Sequence, residues 1–119
     1  MSQDGVGGNS PVNGSRFATT IAERLRILEQ YKRVAMVGLS ANPFRPSHFA
    51  ALYLIAEGYD VVPVNPRESA ILGRTCYKSL SAIPGGVEVV DIFREPSAVP
   101  AIVEDAIQIG AKAIWMQLA

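Results

Sequence analysis

The chain has 119 residues, 49% hydrophobic, with 11 basic and 11 acidic side chains. That is one domain with ample material for a core. The neutral balance gives no support for nucleic-acid binding, which needs a basic face, and no apolar run reaches the ~20 residues of a membrane-spanning helix.

Residues 1–15 hold Gly5, Gly7, Gly8, Pro11, Asn13 and Gly14 with no helical or strand period. Such a segment cannot offset its ordering entropy by burial and is expected to be a disordered tail before a domain over 16–119. It also lacks the basic-then-apolar order of a signal peptide, so a cytoplasmic protein is expected. Phe17, Ile21, Leu25 and Leu28 fall at helical spacing, and Thr20 with Glu23 fits a capping box. Arg33 to Leu39 reads as a short strand, apolar on both faces.

The stretch "VGLSANPFRPS", Val37 to Ser47, follows that strand and precedes a helix. Pro46 suits a first helical turn, and Ser47 can accept from a free backbone N–H. The helix is expected to run to Glu57 and stop at Gly58. Its interior carries no charged residue apart from His48. A helix so apolar is expected to be largely buried, against the sheet and with a partner subunit as further cover, which leaves a homo-oligomer open.

Asp60 to Val64 is a second strand, ended by Asn65-Pro66. Between Arg67 and Gly86 the spacing predicts a short strand over 75–77 and a helical turn over 79–83. Cys76 is the sole cysteine, which excludes an internal disulfide and, with His48 the sole histidine, all but excludes a thiolate zinc site. It reads as a small buried side chain. Val87 to Phe93 is a third strand, with Asp91 an unusual acid inside it. Asp91 is expected to cap a loop or to accept from Arg94, whose other candidate partner is Glu95. Val99, Ile102, Val103, Ala106 and Ile107 form a helical stripe closed by Gly110. Ala113 to Leu118 is a last strand, in which Trp115 is expected to pack the core with an N–H that needs a partner. Ending on a strand suggests a truncated chain or an edge completed by another subunit.

Apolar strands alternating with helices predict an α/β, Rossmann-like parallel sheet with helices on both faces. In such sheets ligands bind beyond the carboxyl ends of the strands. That brings together Gly38 to Ser47, Val64 to Arg67 and Phe93 to Pro96. Loop amides, Ser40 and the helix start at Ser47 are expected to face an anion, with charge from Arg45 and Arg94. The loop departs from a nicotinamide fingerprint: Ser40 and Pro43 stand where further glycines would be. Asn65 replaces the ribose-binding acid, and Arg67 favours a phosphorylated ribose.

The segments "VAMVGLSANPFRPSHFAALYLIAEGYDVVPVNP", "ILGRTCYKSL", "VEVVDIFREPSAV" and "GAKAIWMQL" follow in order over Ala18 to Ala119. Together they resemble the small stand-alone CoA-binding proteins, whose domain is similar to that of the succinyl-CoA synthetase α-subunit. The resemblance implies a Rossmann-like domain that binds coenzyme A or acyl-CoA. It assigns Gly38, Ser40, Pro43 and Ser47 to a phosphate loop, and Asn65, Pro66 and Arg67 to the adenosine end. It assigns Phe93, Arg94 and Pro96 to the pantetheine path, with Gln117 at the end of the "WMQ" strand. No nucleophile–base arrangement or metal cluster can be assembled from these residues, so a small-molecule nucleotide ligand bound without catalysis is the first expectation. An NADP-dependent redox enzyme or sensor, or a regulatory subunit of a larger complex, is the alternative.

Overall fold

A computed structural model describes residues 21–117 of the chain. The expected tail over 1–15, Phe17, Thr20 of the capping box and Leu118 lie outside the described residues. Three helices and six strands follow in the order α1 (Ile21–Gln30), β1 (Arg33–Val37), α2 (Pro46–Ala56), β2 (Asp60–Val64), β3 (Ala70–Ile71), β4 (Arg74–Thr75), β5 (Val89–Ile92), α3 (Val99–Gln108) and β6 (Ala113–Met116). Short 3₁₀ turns at Leu80–Ala82 and Pro96–Ala98 join them.

Four strands form one parallel sheet in the order β2-β1-β5-β6. β1 pairs with β2 in the register Val34↔Val61 and with β5 in the register Val34↔Val89. The chain leaves β1 toward one edge and returns to its other side, so strand order reverses beside the end of β1. Val34, Ala35 and Met36 are wholly buried, as a central strand covered on both faces requires. Alternation along the strands divides the core in two. Val34, Met36, Val89 and Trp115 meet Leu28 of α1 and Ala51 and Leu54 of α2. Ala35, Val62, Val90, Ile92 and Ile114 meet Ala106 of α3 and Leu80 of the 3₁₀ turn. Helices thus cover both faces, as the alternation predicts.

Several boundaries differ from the sequence reading. β1 stops at Val37, because Gly38 turns the chain with a positive φ of 88°. The strand expected over 75–77 is instead the second arm of a small β3–β4 hairpin, after which Tyr77 forms a single parallel bridge to Val64. The Tyr77 amide donates to Pro63 O, and the Asn65 amide donates to Tyr77 O. This segment covers the outer edge of β2, where Pro63 is tolerated because an edge strand need not pair on both sides. The larger correction concerns α2. Only Ser47, His48, Ala51 and Leu54 are buried, whereas Phe49, Leu52 and Tyr53 are exposed. An even spread of apolar residues around a helix cannot tell which third of its surface the sheet will cover.

Candidate functional site

The carboxyl ends of β1, β2 and β5 open into one cleft of about 660 Å³, within the range of small-molecule sites. Gly38, Ser40, Arg45, Pro46 and Ser47 line one wall, Asn65, Pro66 and Arg67 a second, and Phe93, Arg94 and Glu95 a third. Nine of the residues singled out in the sequence therefore meet in one place. Pro43, Pro96 and Gln117 are not among the lining residues, whereas Pro46 and Glu95, which the sequence offers as a helix start and an ion-pair partner and not as ligand contacts, are.

The loop after β1 is held almost entirely by its own polar groups. The Ser40 amide donates to Ser47 Oγ at 3.0 Å, and His48 Nδ1 lies 2.8 Å from Ser40 O. The Asn42 amide donates to Ser40 Oγ and the Phe44 amide to Asn42 Oδ1. The Gly38 and Arg45 amides donate to Val64 O and Asn42 O. These bonds correct the expected role of the loop. The amides of Gly38, Ser40, Asn42, Phe44 and Arg45 bind within the protein and do not form an outward anion cradle. Ser47 accepts from Ser40 rather than from its own helix; α2 has no side-chain cap. Both serine hydroxyls act as acceptors in these contacts and keep an O–H to donate. Pro46 has no N–H, so the Ser47 amide is the first donor at the positive tip of α2.

Asn65 ties two walls together. Its Nδ2 donates to Leu39 O at 3.1 Å, and its Oδ1 accepts from the Arg67 amide at 2.9 Å. The second bond is an Asx turn, which swings Arg67 out of β2 and over the cleft. Lys78 Nζ donates to Pro66 O at 3.2 Å, bracing the same turn. Cys76 lies behind it, buried, with its thiol 3.5 Å from Asn65 O. Burial pushes that thiol's pKa up, so it is a poor nucleophile.

Arg94 and Glu95 settle a question the sequence left open. Arg94 Nη2 and Nε reach the two carboxylate oxygens of Glu95 at 2.9 and 3.1 Å, and this pairing holds the Glu95 carboxyl below its usual range. Arg94 therefore does not pair with Asp91. Arg45 and Arg67 form no ion pair with any described residue, which leaves them as the cleft's uncompensated charges.

Asp91 lies elsewhere. It points to the α1 side of the sheet, opposite Trp115 in register, and it is buried. Burial pushes its pKa up to about 7, against the attraction of Arg24 and a contact from the Gln117 side chain. The Arg24 guanidinium sits 5.7 Å from the Trp115 ring centroid. Arg24 Nε, Asp91 Oδ1 and Trp115 Nε1 have no hydrogen-bond partner among the described residues. Trp115 packs in the core as expected, but its N–H meets no acceptor among the described residues, and Gln117 contacts Asp91 and does not line the cleft.

A family model described as CoA binding domain matches residues 32–119. The chain belongs to the CoA-binding domain family. Proteins similar to the chain include a small protein and part of a much larger ligase. An uncharacterised protein, YneT, of Bacillus subtilis is 36% identical over 96 residues, covering 81% of this chain and 71% of its own. An ADP-forming acetate–CoA ligase of Archaeoglobus fulgidus is 33% identical over 99 residues, but the match spans 82% of this chain and only 15% of that enzyme. Among solved structures, a hypothetical protein from Pyrococcus horikoshii superposes with a TM-score of 0.77 at 42% identity, over 91% of this chain and 73% of that one. The loop of Gly38 to Ser47, the Asn65 turn and the Arg94 segment all lie within the matched residues.

Proposed function

We propose that the protein binds coenzyme A or an acyl-CoA in this cleft and does no chemistry on it. The observation that carries the reading is the pair of unneutralised guanidinium groups, Arg45 and Arg67, on two walls of one cleft that also holds the tip of α2. Coenzyme A carries a pyrophosphate and a separate 3′-phosphate, so it needs two anion sites and not one. Arg45, the Ser47 amide and the serine hydroxyls suit the pyrophosphate. Arg67, swung out at the end of β2 where a nucleotide ribose lies in such folds, suits the 3′-phosphate. Phe93 and Arg94 line the remaining wall, along which the pantetheine arm would leave. Family membership and the identity to an acetate–CoA ligase domain support the same ligand. The non-catalytic part rests on the residues at hand. The thiol of Cys76 is buried with a raised pKa, and His48 Nδ1 is engaged with the loop carbonyl.

Thermal shift and calorimetry with CoA, acetyl-CoA, 3′-dephospho-CoA, NADP and NAD test the proposal. CoA and acetyl-CoA should raise the melting temperature, because a ligand at a hundredfold excess over Kd stabilises the native state by about 2.7 kcal/mol. Dephospho-CoA should bind about tenfold or more weakly, through loss of one charge-assisted contact. Acetyl-CoA incubated with the protein should release free thiol no faster than in buffer. A shift with NADP and none with millimolar CoA would overturn the assignment.

A further inference from the structure

Six large apolar side chains are exposed among the described residues, and four of them, Phe44, Phe49, Leu52 and Tyr53, lie on α2 or in the loop leading to it. Phe49, Leu52, Tyr53 and Ala56 are all exposed and recur at i, i+3, i+4 and i+7. They form one stripe along the helix from Phe49 to its last residue. Surface helices ordinarily turn charged residues outward. This one has no Asp, Glu, Lys or Arg from Pro46 to Ala56.

We propose that this stripe is a two-fold interface with a second copy of the chain, in which two α2 helices pack antiparallel. Three features point to a second copy. The first is area. An aromatic side chain buries ~150–250 Å² when fully covered, so the exposed parts of Phe44 at 84%, Phe49 at 60%, Leu52 at 45% and Tyr53 at 63% amount to roughly 500 Å² of residue surface per copy. Doubled by two-fold symmetry and widened by a polar rim, that reaches the ~1,200 Å² at which stable interfaces begin. The second is the charge at the ends. Arg45 precedes the helix and Glu57 follows it, both exposed, and neither forms an ion pair with a described residue. Antiparallel pairing sets the Glu57 end of each helix against the Arg45 end of the other, with helix dipoles opposed. The third is self-complementarity. A face without charge has nothing to select a foreign partner electrostatically, while an identical copy supplies both the apolar stripe and the matching ends. With a net charge of zero, two copies meet no long-range repulsion.

Sedimentation velocity and light scattering on the full chain, from low micromolar to submillimolar concentration, decide the matter. The wild-type mass should be twice that of the chain, falling to one chain on dilution. Leu52→Glu and Phe49→Glu should each give single chains at every concentration while keeping the wild-type circular dichroism spectrum, since both positions are exposed. Glu57→Arg should weaken the dimer several-fold. A wild type that stays single across the range would overturn the proposal and leave the face to another protein. So would a dimer that survives Leu52→Glu, or dissociation unchanged by Glu57→Arg. Arg45 also lines the cleft proposed for CoA, so all of these readouts are taken on the ligand-free protein, where they stand apart from the ligand assignment.

Discussion

Gly38 is needed for a reason unrelated to close approach by a ligand. Its φ is 88°, and a Cβ there would lie 2.2 Å from Phe93 O and 2.9 Å from Arg94 Cδ. The residue lets β1 end directly against the start of the β5 loop, so that two walls of the cleft touch. Gly38→Ala should destabilise by about 2–5 kcal/mol, combining left-handed strain with overlap against backbone; chemical denaturation would measure it, and a loss below about 1 kcal/mol would contradict the geometry. Asp91 gives the second prediction at this scale. Its pKa is pushed up to about 7 from an ordinary 3.8, so the folded state holds a proton that the unfolded state releases. Stability from this group is whole below about pH 4 and is lost as pH rises toward and through 7. At 1.36 kcal/mol per pH unit the loss is about 4 kcal/mol. Melting temperature should therefore fall between pH 5 and pH 8 in the wild type, and the fall should shrink in D91N. An identical slope in both proteins would place the titration elsewhere.

The loop of Gly38 to Arg45 and the tip of α2 behave as one element, because each supplies the other's missing hydrogen bonds. Ser47 Oγ is the acceptor for the Ser40 amide, and Ser47 is only 4% exposed. Ser47→Ala strands that amide in a half-buried place and should cost about 1–2 kcal/mol, read as a lowered denaturation midpoint with an unchanged slope. Ser47→Thr, which keeps the hydroxyl, should recover most of it. At this scale the sequence reading succeeded where periodicity and turn chemistry agree. Val34 to Val37, Asp60 to Val64 and the Val99 to Gln108 stripe fall where spacing puts them, and the three segments of the cleft converge as strand order requires. It failed where a choice depends on partners distant in sequence. Nothing local in "LSANPFRPS" shows that its amides turn inward, since Ser40 and Ser47 read equally well as ligand donors or as a lock. Nor does "VVDIF" show that Asp91 faces Arg24 of α1 and not Arg94 three residues on. Glu95 reads from the sequence as one of two candidate partners of Arg94, and only the bidentate contact of both its oxygens decides between it and Asp91.

Over the whole molecule, charge sums to zero, so no long-range field draws an anionic ligand toward the cleft. Any electrostatic attraction must come from groups within about a Debye length, ~10 Å at ordinary salt. In the cleft those are Arg45 and Arg67, because Glu95 neutralises Arg94. The CoA affinity should therefore depend on salt chiefly through these two side chains, with Lys78 behind Pro66 as the next nearest cation. Arg45→Ala and Arg67→Ala should each weaken CoA binding by about 10- to 100-fold, the worth of one hydrogen bond to a charged group. The two losses should differ in kind. Arg67→Ala should erase the preference for CoA over dephospho-CoA, while Arg45→Ala should weaken both ligands alike. Titrations at low and high salt complete the test: the affinity ratio between the two conditions should shrink in each variant and approach one in the double variant. A wild-type affinity indifferent to salt, or a dephospho-CoA preference untouched by Arg67→Ala, would mean that the phosphates lie against other groups and that these two arginines are ordinary solvated surface.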